Sequence, residues 1–350
     1  MRSFVDLDLT LGRQPPRLGV PLSRIDVGRG RESLYGDQAP QLLASLAEET
    51  RIASITASSA IEGVVVDPER AERIVSAGGP RRFRDRNEGE FAGCREAIDA
   101  VIRAERQEEL SVPLVLHLHR LLYSYTGGRG GHLKSDENLI VSSAEGQREL
   151  LFAPVSPEQT EFFLTELVAR YNDAVAGEAA HPIVLVGALV LDFLAIHPFA
   201  DGNGRVASIL TTQQLLALGY GIPRYVSVEQ RIFDSKEAYY EALYRSQRGW
   251  HDGTHSVWPW IEYLVGVLAA AYDAFEQRLA ATRDAGRRSK QEQVRAWVLA
   301  QAPAQFRFRE IRRALPGVSD PTIKLVLGQL RDAGLIEAER SGSQSSWTRL

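Results

Sequence analysis

The stretch Ile183 to Ile196, IVLVGALVLDFLAI, constrains this chain more than any other. It is apolar on every side of a helix, so it has no face to give to solvent. A membrane span takes about 20 such residues, and this run is shorter and holds Asp192. It is therefore predicted to be a helix at the centre of a globular fold, and the segment after it emerges beside the core. That segment is HPFADGNGR, residues 197–205.

Those nine residues carry chemistry that a plain helix junction does not need. The Gly202-Asn203-Gly204 segment suits positive φ angles that turn successive backbone N–H groups to one side, and a helix beginning near Gly204 points its positive dipole end at the same place. Such a concavity binds an anion, a phosphate above all. Arg205 adds a planar fork of donors. Asp201 beside a phosphate calls for a hard divalent cation between them, and Mg²⁺ held by one carboxylate plus substrate oxygens is the usual arrangement. His197 is the group able to take a proton near neutral pH. Together they describe nucleotidyl or phosphoryl transfer to a hydroxyl.

Helical periodicity dominates the rest of the first 283 residues. Residues 1 to about 40, rich in Gly, Pro and Arg, read as an irregular lead-in. Helices are expected from Pro40 to about Gly63, over Pro68–Ala77 (ended by Gly78-Gly79-Pro80), Phe91–Ala104, Pro113–Tyr125, Pro157–Asn172, Pro182–Ala195, Gly204–Leu218, Ser235–Ser246 and Trp258–Arg283. LIV and ELLF around SSAEGQ suggest a small β-hairpin. After RDAGRRSK the pattern becomes helices at Gln291–Gln301 and Arg309–Leu315, then a third capped by Asp320, then strands in LIEAER and SSWTRL around the turn SGSQ. That order is a winged helix-turn-helix.

HPFADGNGR resembles the signature of the Fic family, His-x-Phe-x-Asp/Glu-Gly-Asn-Gly-Arg-x-x-Arg. HPIVLVGALVLDFLAI resembles the helix before that loop, GGHLKSDENLIV the start of the family's target-docking flap, with Leu133, Lys134 and Asn138, and AYYEALYRSQ its nucleotide-side helix, with Tyr239 and Tyr240 at the adenine. The resemblance covers roughly residues 40–265. It implies a mainly α fold, a Fic-type helical bundle with a small β-hairpin flap, here followed by the winged helix-turn-helix. It also implies transfer of AMP from ATP to a Ser, Thr or Tyr hydroxyl of a target protein, with release of pyrophosphate. By that analogy His197 is the base, Asp201 holds Mg²⁺, Gly202, Asn203, Gly204 and Arg205 bind phosphates, and Phe199 anchors the loop in the core. The final arginine of the signature falls at Ser208, which puts the identity of the donor nucleotide in question.

SSAIEG, Ser58 to Gly63, resembles the family's inhibitory motif, Ser/Thr-x-x-x-Glu-Gly/Asn. A glutamate reaching an anion site competes with the terminal phosphate for the same cations. Glu62 would normally pair with the arginine that Ser208 replaces, so it must use Arg205 or hold less tightly. The expected organisation is an N-terminal helical region at 1–105 with its inhibitory helix at about 40–63, a catalytic core at 106–283 and the winged helix at 284–350. Alternative readings are a variant that uses another nucleotide or removes AMP, and a transcription regulator that senses nucleotide and acts through the winged helix.

Composition narrows the partners. Residues 285–350 carry 12 Lys and Arg against 6 Asp and Glu, while residues 1–284 carry 29 against 39. A basic end on an acidic body suits DNA contact through Thr322, Lys324, Arg331 and Arg340, or equally protein docking or homodimer formation. The target protein includes the chain itself as a candidate, and no membrane partner is implied. With one cysteine, Cys94, and no secretory leader pattern, a cytoplasmic protein is expected. His117 and His119, two apart, point different ways on a helix, and His251 and His255 flank the loop glycine Gly253, so neither pair reads as a metal site.

Overall fold

The computed structural model describes residues 2–5, 14–38, 40–76, 82–128, 130–144, 147–287, 290–338 and 346–350. These form two compact units, residues 1–275 and 276–350. The fold is mainly helical.

The first unit begins with α1 (Gly19–Gln38) and α2 (Pro40–Ile61). A short α3 (Pro68–Val75) comes next, then α4 (Arg86–Ile102) and α5 (Val112–Leu122). The antiparallel hairpin β1 (Ile140–Ala144) and β2 (Gln147–Phe152) pairs Val141 with Leu150. Its turn tip lies outside the described residues. The chain continues through α6 (Pro157–Ala176), α7 (Pro182–Ile196), α8 (Asn203–Ala217), α9 (Val228–Asp234), α10 (Lys236–Gln247) and α11 (Trp258–Arg287).

As its composition requires, α7 is buried along its whole length. Gly187 opens a slot on it for Ile261 of α11, and Trp260 donates its indole N–H to the Gly187 carbonyl at 2.9 Å. The one charge in the helix, Asp192, is fully buried. It accepts from the Ser3 N–H (3.0 Å), the Ser3 hydroxyl (2.7 Å) and the Trp250 indole N–H (2.7 Å). A carboxylate so supplied with donors is tolerated where an isolated one would not be.

The glycine-rich lead-in is helical, against expectation. Burial overrides the low propensity of its glycines: Leu18, Leu22 and Ile25, spaced four and three apart, enter the core. Gly28 is required there because the Tyr272 ring occupies the place of its missing side chain. Glu32 of α1 accepts the Gly221 N–H at 2.8 Å, and burial pushes its carboxyl from the ordinary 4.5 up to about 7. Between those values the folded chain holds a proton that the unfolded chain has released. The stability this residue contributes is therefore present at acid pH and is lost as pH rises through about 7. Glu32→Gln keeps an acceptor for Gly221 without the charge. It should raise the melting temperature by roughly 2–4 °C at pH 8 and change it little at pH 5, as read by scanning calorimetry.

The second unit contains α12 (Lys290–Ala296), running into one π-turn at Trp297–Gln301, then β3 (Gln305–Arg307), α13 (Phe308–Ala314), α14 (Asp320–Asp332), β4 (Ile336–Ala338) and β5 (Ser346–Arg349). Its strands form one antiparallel sheet in the order β3-β5-β4. Val298, Phe306, Ile311, Ile323, Val326 and Leu330 share its core. Helix α9 and strand β3 gave no sequence signal because each is too short to show a period, and Ser319 rather than Asp320 stands at the N-cap of α14.

Candidate active site

The chain leaves α7 at His197 in the left-handed conformation, φ 52° and ψ 61°. For a residue with a side chain this costs on the order of 1–3 kcal/mol, and the surroundings hold it there. Lys134, buried, donates its ammonium to the Ile196 carbonyl (3.1 Å) and to Asn138 Oδ1 (2.8 Å), and its N–H to the Pro198 carbonyl (2.9 Å). The Asn138 amide donates to the carbonyls of His197 (3.1 Å) and Phe199 (2.7 Å). Asn203 completes the clamp: Oδ1 accepts the Phe199 N–H (2.9 Å) and Nδ2 donates to the Phe199 carbonyl (2.7 Å). With these carbonyls tied back, the loop has one shape.

Phe199 is fully buried, stacked on the His119 ring with centroids 3.7 Å apart. His119 Nδ1 accepts the Gly131 N–H (2.8 Å), so its Nε2–H donates to the Asp201 carbonyl (3.1 Å). Burial holds this ring neutral, with its pKa down to about 4. His119 is thus a brace for the loop, which counting its spacing from His117 did not show. Lys134 and Asn138, expected on the docking flap, precede the hairpin and are spent on the loop backbone; Leu133, just before them, is partly buried.

Gly202, at φ 79°, starts α8. The N–H groups of Asn203, Gly204 and Arg205 are first-turn donors that a helix leaves unpaired. They border a cleft of about 300 Å³ lined by His197, Asp201, Gly204 and Glu62, with Tyr240 and Tyr244 from α10. His197 Nδ1–H donates to the Leu194 carbonyl (3.2 Å), leaving the lone pair on Nε2. Burial lowers its pKa to about 4, helped by the charge on Lys134. The imidazole is therefore an unprotonated base throughout the neutral range. The Asp201 carboxylate is half exposed; Oδ1 accepts the Gly202 N–H (2.7 Å) and Oδ2 lies 3.5 Å from the Arg86 guanidinium.

Two residues expected at the phosphates are engaged elsewhere. The Asn203 side chain is consumed by Phe199. Arg205 is buried, with Nη1 donating to Glu90 (2.7 Å), Nη2 donating to the Tyr123 hydroxyl (3.1 Å) and lying 3.9 Å from Asp201 Oδ1, and its guanidinium 5.5 Å from the Tyr123 ring centroid. A desolvated guanidinium needs such a carboxylate partner. Of Asn203 only the backbone N–H remains for an anion, whereas the Arg205 guanidinium keeps one buried Nε–H without a hydrogen-bond partner.

Glu62 stands just past α2, where Gly63 at φ 79° reverses the chain. Its carboxylate rests on Gly204, in the space that any side chain at position 204 would fill. The residue is exposed overall, yet the groups packed about its carboxyl desolvate it and push its pKa up, against the attraction of Arg205 and Lys236. Ser58, one turn earlier and buried, lines with Ser208 and Tyr239 a small cavity of about 20 Å³, about the room one water needs. Ser208 faces that cavity. Tyr239 is buried against Trp260, while Tyr240 is half exposed in the cleft. In the second unit, Thr322 shares a hydrogen bond with Ser319, Lys324 is exposed, and Arg331 pairs with Asp332 at 2.8 Å. Arg340 lies outside the described residues. Among the described residues no helix is long and apolar enough to cross a membrane.

Comparison with known proteins agrees with this geometry. The profile of the Fic/DOC family matches residues 109–215. The protein adenylyltransferase and cysteine protease IbpA of Histophilus somni (strain 2336) is 32% identical over 124 residues, 35% of this chain and 3% of that protein. Protein adenylyltransferase fic-1 of Caenorhabditis elegans is 25% identical over 213 residues, 59% of this chain and 39% of the relative. The chain thus spans well under half the length of these two relatives. The crystal structure of a Fic family protein from Desulfovibrio desulfuricans G20 superposes with a TM-score of 0.59 at 23% identity, covering 96% of each chain, and shares the fold. A Fido domain-containing protein of Dictyostelium discoideum is 32% identical over 97 residues, 27% of this chain and 68% of its own length. With the family profile matched at residues 109–215 and a 32%-identical relative covered over two thirds of its length, the chain belongs to the Fic/DOC family.

Proposed function

We propose that this chain is an autoinhibited protein adenylyltransferase, moving AMP from ATP to a hydroxyl side chain of a target protein. The observation that carries the reading is the Glu62 carboxylate on Gly204: an anion already stands at the start of α8, where unpaired N–H groups and the helix dipole suit a phosphate. Two relatives that bear the name protein adenylyltransferase support the chemistry.

In the reaction the acceptor oxygen attacks the α-phosphorus, His197 Nε2 takes the hydroxyl proton, and the bond to pyrophosphate breaks. Asp201 fits Mg²⁺. Its carboxylate is half exposed at the cleft. No group of three or more His, Cys, Asp or Glu among the described residues forms a protein-only metal cage, so the ion would complete its shell with phosphate oxygens and water. Bound there, it supplies charge neutralisation at the phosphates.

The test uses the Glu62→Gly chain with Mg²⁺ and ATP labelled on either the α- or the γ-phosphate. Label from the α position alone should remain on protein. Retention of the γ label would mean phosphoryl transfer, and retention of neither would overturn the reading.

A further inference from the structure

A nucleoside triphosphate brings more negative charge than one divalent ion neutralises, and the residues expected to meet the surplus do not reach it. Ser208 carries no charge and lines the small cavity it shares with Ser58 and Tyr239. Arg205 is buried and committed to Glu90 and Tyr123. The Glu62 carboxylate occupies the anion position, and the buried Arg205 attracts it without forming an ion pair, which leaves room for a mobile cation from the cleft's other wall.

Lys236 is the first residue of α10 and is exposed. Its ammonium lies 5.8 Å from the centroid of the Tyr240 ring, and Tyr240 lines the same cleft as Glu62 and Gly204. Lys236 attracts the Glu62 carboxyl, as Arg205 does, and of these two Lys236 is exposed while Arg205 is buried. A lysine is a compact charge on a flexible stem with three donors, free to swing from an aromatic face to a phosphate oxygen.

We infer that Lys236 supplies, from α10, the positive charge that the family signature places at position 208 of α8, and that Glu62 and the distal phosphates of the nucleotide compete for it. This rests on the reading of the cleft as the ATP site. Its consequence is specific: Lys236 acts on the β- and γ-phosphates and leaves AMP alone.

The test compares Glu62→Gly with Glu62→Gly/Lys236→Ala and Glu62→Gly/Lys236→Arg. ATP, ADP and AMP are titrated into each by calorimetry with Mg²⁺ present, and the KM for ATP is measured in the transfer assay. Lys236→Ala should weaken ATP about tenfold, the scale of one charge-assisted contact, with AMP affinity unchanged, KM rising more than kcat falls, and Lys236→Arg restoring most of the loss. Unchanged ATP affinity and KM, or an equal loss for AMP, would overturn the role of Lys236 while transfer by Glu62→Gly left the adenylyltransferase reading standing. Absence of both ATP binding and transfer in all three chains would overturn that reading, and Lys236 with it.

Discussion

The His197→Ala chain should transfer AMP at least a hundredfold more slowly than its parent, because a positioned general base contributes about 10²–10⁴ in rate. The comparison belongs in the Glu62→Gly background, where the starting rate is high enough to measure the loss. His197→Asn is the sharper variant. Position 197 sits at φ 52°, and asparagine visits the left-handed region more readily than alanine. The carbonyl of residue 197, which accepts from Asn138, stays in place. If the asparagine chain binds ATP as its parent does yet fails to transfer AMP, the imidazole is doing proton chemistry. If it transfers at the parent rate, some other group is the base.

Glu62→Gly should raise the rate of AMP transfer by about ten- to a hundredfold, corresponding to a coupling of about 1–3 kcal/mol between inhibitor and nucleotide. The carboxylate rests on Gly204 and forms no ion pair with a guanidinium among the described residues, since Ser208 stands in place of arginine and Arg205 is bonded to Glu90 and Tyr123. Its hold on the site is therefore weaker than a buried carboxylate–guanidinium pair would give, and wild type should retain measurable activity. Thermal stability should change little or rise slightly near neutral pH, because the substitution removes a carboxyl whose partial desolvation disfavours the anion. Initial rates with labelled ATP for the two chains, taken at the same protein concentration, check this, and equal rates would remove the inhibitory role.

The parts legible in the amino-acid sequence were those whose signals are local. An all-apolar run can only be buried, and HPFADGNGR states its turn, its helix start and its titratable groups within nine residues. Direction was not legible. Arg205 looks like a phosphate ligand until Glu90 and Tyr123 are brought to it from 115 and 82 positions away. The braces Lys134, Asn138 and His119 reach the loop from 62, 59 and 82 positions away; GGHLKSDENLIV marked the first two, but as parts of a flap rather than as clamps on the loop backbone. Helix α1 was hidden for a different reason. Its glycines lower local propensity, but Gly28 exists so that Tyr272 can press against the backbone, and that packing is tertiary.

Every role assigned in the cleft depends on the start of α8 being the phosphate site. The three nearest atoms that a Cβ on Gly204 would meet all belong to Glu62, so in the Glu62→Gly chain a valine at 204 takes the space the carboxylate leaves and fills the anion position. Calorimetric titration of Mg²⁺–ATP into Glu62→Gly and into Glu62→Gly/Gly204→Val measures this directly. Binding by the first chain and none by a still-folded second is the predicted result. Equal affinity in both would place the nucleotide elsewhere and contradict the account.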